Sequence, residues 1–484
     1  MEFFLRLSLA ATIAGTSAFG TAATPPHPDP AYGGLGDGIA RMRIDHDDGA
    51  KDAAATAVGM PDGRLLLGGV TSNGLAAERR FAVAMFTADG SPDTSFGPEG
   101  SGRFVMGLGD ASDLVGIAAV DDGNLLVLGS TLRNEGVLAK LDRRGAYAAG
   151  FGDAGLRVLK AETFLDGGTI FRPMRLLPLR DSGILVVGYA MSNTSACTGV
   201  ARLTADGAFD ESFAGDGAIC IAPARRTAAD AVFAFGNNAY ERDDGSVLIV
   251  GSAHHATSAD LDMFVAHVEE GGSLDVAFGA EGTGFAFANF GSGDSGYAHG
   301  IDVDSLGRIV IAGPVSPPSS NIDVHLGIAR MHADGRLDTA FAVDGRREID
   351  DAVLGAGSQA ALDVRIVDGD RVLIGGWAAE EERVAMTVML RADGLLDDAY
   401  GQNGIFRQAV ATAPEDGIVS PAPHSLLLAG DYLYFFGSIP VGAPLPDVSR
   451  NTAFAATRYV LPLFNDGFDI AATPNATHLS GYVQ

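Results

Sequence analysis

Short apolar runs separated by turn residues recur along the chain. The runs are four to six residues long, and many are rich in β-branched and aromatic side chains. Runs this short, bounded by glycine and aspartate, are typical of strands rather than helices. The first set contains seven runs that all end in glycine: 65–69, 125–129, 184–188, 247–251, 309–313, 372–376 and 433–437.

A second set of runs follows the first, one after each glycine. It also has seven members: 81–86, 137–141, 200–203, 264–268, 326–331, 385–390 and 454–459. An inner strand such as 300–303 precedes each member of the first set, and an outer strand follows each member of the second. Each unit is therefore predicted to have four strands, and radial repetition of such units makes the blades of a β-propeller.

The loop after the second set carries the motif Asp-x-x-Phe-Gly, clearest at Asp93 and Asp275. Successive motif aromatics lie 55, 62, 65, 63 and 59 residues apart, as in a repeat protein. We expect the aspartate to accept backbone N–H bonds, the ring to pack between blades and the glycine to take a positive φ. The predicted structural residues are Asp93, Phe96, Asp210, Phe213, Asp275, Phe278, Asp338, Phe341, Asp397 and Tyr400.

The two ends of the repeat region complement each other. The last run, 454–459, has no Phe-Gly motif and no outer strand after it, whereas residues 32–44 supply an outer strand with no blade before it. Pairing the two would remove the exposed sheet edges. The sequence therefore predicts an all-β, seven-bladed β-propeller of four-stranded blades over residues 29–460, closed by an N-terminal outer strand.

Two copies of the motif carry a family resemblance. Residues 337–341 (Leu-Asp-Thr-Ala-Phe) follow Asp334-Gly335, and residues 91–97 (Ser-Pro-Asp-Thr-Ser-Phe-Gly) follow Asp89-Gly90. They resemble the delta-60 repeat of exported bacterial proteins, and the resemblance covers residues 29–459. It implies a propeller-like fold and no defined chemistry. The second copy departs from the pattern, since Ala148 stands where the aspartate is expected.

The termini indicate export. Residues 1–23 combine Arg6, an apolar stretch and small residues, as in a signal peptide, and residues 24–28 are a proline-rich linker. No other apolar run is long enough for a membrane helix, and 461–484 is expected to be a C-terminal tail. We expect an exported monomer, extracellular or periplasmic, in which Cys197 and Cys220 form a disulfide; two buried thiols are the alternative.

The net charge and the positions of the basic residues limit the functions that the sequence can support. The 61 acidic and 33 basic residues give a net charge of −28, which disfavours nucleic acid as a partner. Basic residues recur in the second set of runs, but copies with Met85 and Met389 keep the motif aspartate. We interpret these positions as a solvated strand face rather than strict ion pairs. The basic residues concerned are Lys140, Arg202, His267, Arg330 and Arg458.

The loops that vary in length lie on one predicted face, which is where a repeat protein binds its ligand. Asp113, Arg172 and Asp363 are placed toward the channel, and no motif for a nucleophile, phosphate loop, metal or other cofactor is present. We expect a non-catalytic binding or scaffold module for a protein or glycan. The alternative is a propeller lyase, hydrolase or oxidoreductase that uses His, Asp and Arg at the channel mouth. The ligand-binding candidates are His254, His255, His299, His325 and Trp377.

Overall fold

The chain folds into a ring of seven antiparallel sheets, seen here in a computed structural model. The structure describes residues 26–34, 37–44, 51–72, 79–106, 111–120, 123–223, 233–254, 260–291, 293–318, 324–354, 358–379, 383–408, 423–429, 432–440 and 452–460. Within these ranges the regular structure is almost entirely strand. The few helical segments are the α-helix Asp351–Leu354 and the 3-10 turns Pro98–Gly100, Ala161–Thr163 and Asp368–Asp370.

Each sheet forms one blade, and blades are numbered along the chain. Two strands precede blade 1: β1 (His27–Pro28) and β2 (Ile39–Met42). Blade 1 comprises β3 (Lys51–Gly59), β4 (Leu65–Ser72), β5 (Arg80–Phe86) and β6 (Arg103–Val105). Blade 2 comprises β7 (Ala111–Ala119), β8 (Leu125–Thr131), β9 (Gly136–Leu141) and β10 (Leu156–Leu159). Blade 3 comprises β11 (Ile170–Pro178), β12 (Ile184–Met191), β13 (Ala196–Leu203) and β14 (Ala218–Ile221).

The remaining blades follow the same order. Blade 4 comprises β15 (Ala234–Glu241), β16 (Val247–His254), β17 (Leu261–Val268) and β18 (Phe285–Ala288). Blade 5 comprises β19 (Ser295–Gly296), β20 (Gly300–Val303), β21 (Ile309–Ser316), β22 (His325–Met331) and β23 (Arg346–Ile349). Blade 6 comprises β24 (Gln359–Val367), β25 (Arg371–Ala379), β26 (Arg383–Leu390) and β27 (Ile405–Gln408). Blade 7 contains β28 (Pro423–Ala429), β29 (Tyr432–Pro440) and β30 (Thr452–Val460).

Both ends of the chain build blade 7. Strand β2 pairs antiparallel with β30, from Ile39 opposite Thr457 to Met42 opposite Phe454. Strand β1 pairs with the other end of β30, where His27 lies opposite Val460. The fold is therefore the predicted seven-bladed propeller of four-stranded antiparallel blades, closed by an N-terminal outer strand.

The hydrophobic core lies between neighbouring blades. Leu138 of blade 2 and Val186 of blade 3 belong to one buried cluster, and Val187 of blade 3 and Ile249 of blade 4 belong to the next. Because strand side chains alternate between the two faces of a sheet, Val186 and Val187 serve different interfaces. Each blade is thus buried on both faces, which accounts for its nearly continuous apolar strands.

The motif aspartates organise the loop between the third and fourth strands. Asp338 Oδ1 accepts a hydrogen bond from the Ala340 N–H at 3.1 Å, and Asp93 Oδ1 accepts one from the Ser95 N–H at 2.9 Å. The same contact, to the residue two positions later, recurs at Asp29, Asp210, Asp275 and Asp397. An aspartate that accepts in this way fixes a tight turn.

Each of these aspartates also has a basic partner, so the interpretation of the basic positions as a solvated strand face is wrong. Arg330 Nη2 lies 2.8 Å from Asp338 Oδ2. Blades with methionine in the third strand take the guanidinium from the start of the second strand instead, as Arg64 does for Asp93 at 3.2 Å. The other pairs are Arg202–Asp210, His267–Asp275, Arg371–Asp397 and Arg458–Asp29.

The motif rings pack against a glycine of the following blade. A Cβ atom on Gly335, whose φ is +85°, would lie 2.8 Å from the ring of Phe278. Glycine therefore meets two needs here, a left-handed backbone and close approach of a ring. The same relationship joins Tyr32 to Gly90, Phe151 to Gly207, Phe213 to Gly272 and Phe341 to Gly394.

Two further features concern the prediction of an exported protein with a disulfide and no membrane helix. Cys197 in β13 and Cys220 in β14 form a disulfide with a Cα–Cα distance of 5.7 Å. None of the helices in the described ranges is long and apolar enough to cross a membrane.

Candidate functional site

The first strand of each blade lines the central channel. We define the mouth face as the end of the ring at which these first strands begin and the second strands end. In blade 3, β11 and β12 place Arg172 directly opposite Tyr189 at this end. In blade 4, the β15–β16 pairing places Phe235 opposite Ser252, and the N–H of His254 donates to the carbonyl of Phe233 at 3.1 Å.

Four rings at the mouth face form a continuous row across blades 3 and 4. Tyr189 meets Phe235 edge to face with centroids 5.2 Å apart. Phe235 lies 6.3 Å from Phe233 in a nearly parallel arrangement, and Phe233 lies 5.3 Å from the imidazole of His254. All four side chains are half-buried. We call Tyr189, Phe235, Phe233 and His254 the ring row.

Gly236 allows the two blades to close beneath the ring row. A Cβ atom at this position would collide with Thr198 Cγ2 of blade 3 and lie 3.0 Å from Val187 Cγ1. The absence of a side chain therefore lets β15 approach β12 and β13 closely. This close approach brings Phe235 into contact with Tyr189 of the neighbouring blade.

Arg172 lies beside the tyrosine end of the ring row. Its Nη2 donates to Asn134 Oδ1 at 3.0 Å and its Nη1 donates to Ser130 Oγ at 3.3 Å. Asn134 has a φ of 63° and its carbonyl accepts from the Phe171 N–H at 2.8 Å, so the loop of blade 2 is tied to β11. Both side-chain acceptors are neutral, and Arg172 forms no ion pair with any carboxylate among the residues described.

The polar atoms of the ring row are not used to hold the fold. Within the described part of the chain, neither the Tyr189 hydroxyl nor the His254 ring nitrogens make a hydrogen bond. Burial raises the pKa of Tyr189, and the nearby charge of Arg172 offsets this only in part. Tyr189 is therefore a protonated phenol at neutral pH and can donate a proton or a hydrogen bond.

Charged groups occupy the middle of the channel. Arg365 Nη2 lies 3.1 Å from Asp363 Oδ2, and Asp302 Oδ2 accepts from the Ile366 N–H at 2.8 Å. Arg175 reaches the same region from blade 3: burial, repulsion by Arg365 and attraction by Asp363 together bring its pKa to about 9. Burial raises the pKa of Asp363 despite the two arginines. The two arginines and two aspartates carry opposite charges, so that each charge in this cluster is compensated. Buried charges are tolerated in a fold only when they are paired in this way.

The histidines and tryptophan proposed from the sequence are distributed over blades 4 to 6. His299 is half-buried in the channel wall, where desolvation lowers its pKa to about 4 while a hydrogen bond to the backbone of Ala361 opposes the shift. His325 contacts Glu348 through Nδ1. Trp377 is half-buried and lies opposite Ala360 and Ala385 in blade 6.

The structure does not gather the candidates into one cluster. His254 alone among them belongs to the ring row, and His255 falls outside the described ranges. Among the described residues, no three His, Cys, Asp or Glu side chains are grouped so that they could hold a metal ion.

Sequence reasoning missed three members of the ring row: Tyr189, Phe233 and Phe235. A signal for Tyr189 was present, because it follows the strand-ending Gly188 as Trp377 follows Gly376. Aromatic residues at that repeat position end the second strand at the mouth face.

Several solved structures that are similar to this chain in fold are enzymes by name. The polysaccharide lyase Uly1 is 10% identical, with 84% of this chain and 90% of that chain covered and a TM-score of 0.48. An ulvan lyase of family PL25 is 9% identical, with 91% and 95% covered and a TM-score of 0.45. The aldose sugar dehydrogenase of Streptomyces coelicolor is 11% identical, with 71% and 94% covered and a TM-score of 0.35.

The expected non-catalytic binding or scaffold module is corrected here: the solved structures named above are enzymes, and that prediction is not carried further. At these identities the likeness concerns the fold, so a site has to be sought in this chain's own residues.

Comparison with known sequences bears on the repeat. No curated protein sequence matches the chain. The family described as a domain of unknown function, DUF5122, beta-propeller, matches residues 61–96 and 181–213. Each match runs from the turn before a second strand to the motif phenylalanine, Phe96 or Phe213. The chain therefore carries repeats similar to those of a β-propeller repeat family.

Proposed function

We propose that this propeller is a glycan-cleaving enzyme whose substrate lies along the ring row at the mouth face. The observation that carries the proposal is the combination, in one row, of stacking rings with a phenol and an imidazole that make no hydrogen bonds among the described residues. Half-buried rings offer apolar faces to the C–H groups of a sugar. Tyr189 and His254 supply groups that can donate or accept a proton.

The ring row differs from the site of an ordinary glycoside hydrolase. Most hydrolases place two carboxylates on either side of the scissile bond. Here the groups next to the stacking surface are a phenol, an imidazole and a guanidinium, which favours cleavage by proton abstraction, as in a lyase. In such a step a C–H proton beside the glycosidic bond is lost, a C=C bond forms and the C–O bond breaks as the leaving oxygen is protonated. Tyr189, held as a protonated phenol, is the proposed proton donor to that oxygen, and a solvent water molecule takes the C–H proton. His254 lies at the other end of the row, three ring contacts away, so its proposed role is to hold a sugar further along the substrate.

A panel of soluble polysaccharides tests this function. Wild-type protein is expected to release oligosaccharides from at least one member. Y189F is expected to lower that rate by about 100-fold or more, as loss of a general acid does, and H254Q to lower it less, by weakening substrate binding. The matched control is H332Q, which alters a half-exposed histidine on the opposite face. No turnover of any polysaccharide, or equal rates in Y189F, H254Q and H332Q, would overturn the proposal.

We also propose that the enzyme acts outside the cytoplasm, in the periplasm or beyond the cell. The signal-peptide pattern of residues 1–23, the resemblance to the delta-60 repeat and the disulfide Cys197–Cys220 support this. We propose the same domain limits as above: linker 24–28, propeller 29–460 and tail 461–484. Mass spectrometry of the N-terminus of the secreted or periplasmic protein tests it; an intact Met1 would contradict export by this signal.

A further inference from the structure

We propose that the site selects a glycan bearing an anionic group, a carboxylate or a sulfate ester, and that Arg172 receives this group. The inference rests on the proposed glycan substrate and names its chemical class. It starts from the charge of Arg172, whose side-chain hydrogen bonds within the described residues go to the neutral oxygens of Asn134 and Ser130. Its position beside the ring row distinguishes it from other arginines that contact neutral oxygens elsewhere on the ring.

Several arginines around the ring do have a carboxylate partner. Arg330, Arg202 and Arg458 each contact a motif aspartate within 3.0 Å. At the mouth face Arg79 pairs with Asp113 at 3.3 Å. Arg172 is half-buried, and its positive charge is balanced by none of the carboxylates in the described part of the chain. A partly buried, uncompensated guanidinium favours binding of an anion.

Its geometry suits an anion on a sugar that also contacts the ring row. Asn134 and Ser130 use two of the five N–H donors of the guanidinium and hold it in place. Arg172 lies opposite Tyr189 in the β11–β12 pair, so an anionic sugar bound there would have its neighbours along Phe235 and Phe233. A guanidinium held in advance binds a carboxylate or sulfate with less loss of side-chain freedom.

The net charge of −28 does not prevent this recognition. At physiological ionic strength charges separated by more than about 8 Å are largely screened. The anionic group would therefore respond mainly to Arg172, which is in direct contact, and much less to distant carboxylates. Binding of the anionic glycan is expected to weaken as salt is raised, while binding of a neutral glycan changes little.

The test measures affinity rather than turnover, with three probes: oligogalacturonate for the carboxylate, a sulfated oligosaccharide for the sulfate ester, and a neutral oligosaccharide of equal length. Wild-type protein is expected to bind one of the anionic probes, and R172Q to bind it about tenfold or more weakly, as loss of a charged hydrogen bond does. R172K, which keeps the charge but loses the planar fork, is expected to lie between the two. Binding of the neutral probe stays unchanged in both variants.

The matched control is R336Q, which removes the same charge from an exposed pair with Asp334 on the opposite face. It should bind the anionic probe like wild type, and a thermal unfolding curve checks that each variant is folded. Equal affinity of R172Q and wild type, preference for the neutral probe, or an equal loss in R336Q would overturn the role of Arg172. If R172Q loses the anionic probe while Y189F and H254Q show no loss of turnover, Arg172 recognition stands and the proposed catalysis fails.

Discussion

Arg458 in β30 and Asp29 next to β1 form an ion pair across the closure of the ring: the Nε and Nη2 atoms of Arg458 both donate to Asp29 Oδ2, at 2.9 and 2.6 Å. The same guanidinium donates to the carbonyl of Ala88 in blade 1 at 2.6 Å and stacks on the ring of Tyr32. One side chain thus connects blade 7, the N-terminal segment and blade 1.

Replacing Asp29 should therefore weaken the closure. D29N keeps the acceptor for the Ala31 N–H but leaves the largely buried Arg458 without its carboxylate, and we expect a loss of about 3 kcal/mol in the free energy of unfolding. Urea unfolding followed by circular dichroism measures it. The control is D334N in the exposed pair with Arg336, for which the loss should stay below about 1 kcal/mol. Equal losses would show that closure does not depend on this pair.

A motif aspartate should be able to pair with an arginine from either of two positions, the start of the second strand or the third strand. In blade 1 Arg64 pairs with Asp93, and Met85 occupies the third-strand position that arginine holds in blade 5. R64Q should lower the unfolding temperature because Asp93 loses its basic partner. Adding M85R should restore much of the loss, since Arg308 and Arg330 already coexist around Asp338 in blade 5. A double variant less stable than R64Q would argue against interchangeability.

Packing of the motif ring can be separated from backbone strain with two glycines of blade 5. Gly307 and Gly335 both have positive φ, +75° and +85°. A Cβ at Gly307 meets no atom closer than 3.9 Å, whereas one at Gly335 meets the Phe278 ring at 2.8 Å. G307A should cost about 1 kcal/mol from the left-handed backbone, and G335A at least twice that. Similar unfolding midpoints for the two variants would mean that the ring contact adds little.

His299 should make stability depend on pH. Burial lowers its pKa from 6.5 to about 4, so the folded state favours the neutral ring. As pH falls below 6.5 the unfolded chain takes up the proton first, and stability declines until about pH 4 and then levels off. H299Q should show a shallower decline over this window in chemical unfolding. A decline in H299Q as steep as in wild type would exclude this contribution.

The fold could be predicted because its signals are local and repeated. Strand-ending glycines and Asp-x-x-Phe loops mark each unit. The extra outer strand in residues 32–44 matches the outer strand that is missing after residues 454–459. The pairing of motif aspartates could also have been found from sequence. Arg64 and Arg371 stand just before the glycine-ended runs 65–69 and 372–376 in the two blades that carry Met85 and Met389, so a basic residue is present in each case.

The ring row could not be predicted in the same way. Tyr189 and Phe233 come from different blades, and their contact through Phe235 depends on strand register and on how closely Gly236 lets the sheets approach. The sequence alone offers no way to rank His254, His299 and His325 as candidate site residues. Only the three-dimensional contacts separate an imidazole beside Phe233 from one hydrogen-bonded to Ala361 and one paired with Glu348.

Asp29 and Arg458 are 429 positions apart, so the contact that completes the ring becomes available only after all seven blades have been synthesised. Until β30 has left the ribosome, blade 7 lacks the strand on which β1, β2 and β29 all pair. The preceding six blades would form an open arc that leaves two apolar blade faces uncovered, and exposed apolar faces favour association with other chains. Because the closing contact joins residues so distant in sequence, the loop-closure entropy is lost before the contact stabilises the ring, which slows this step of folding.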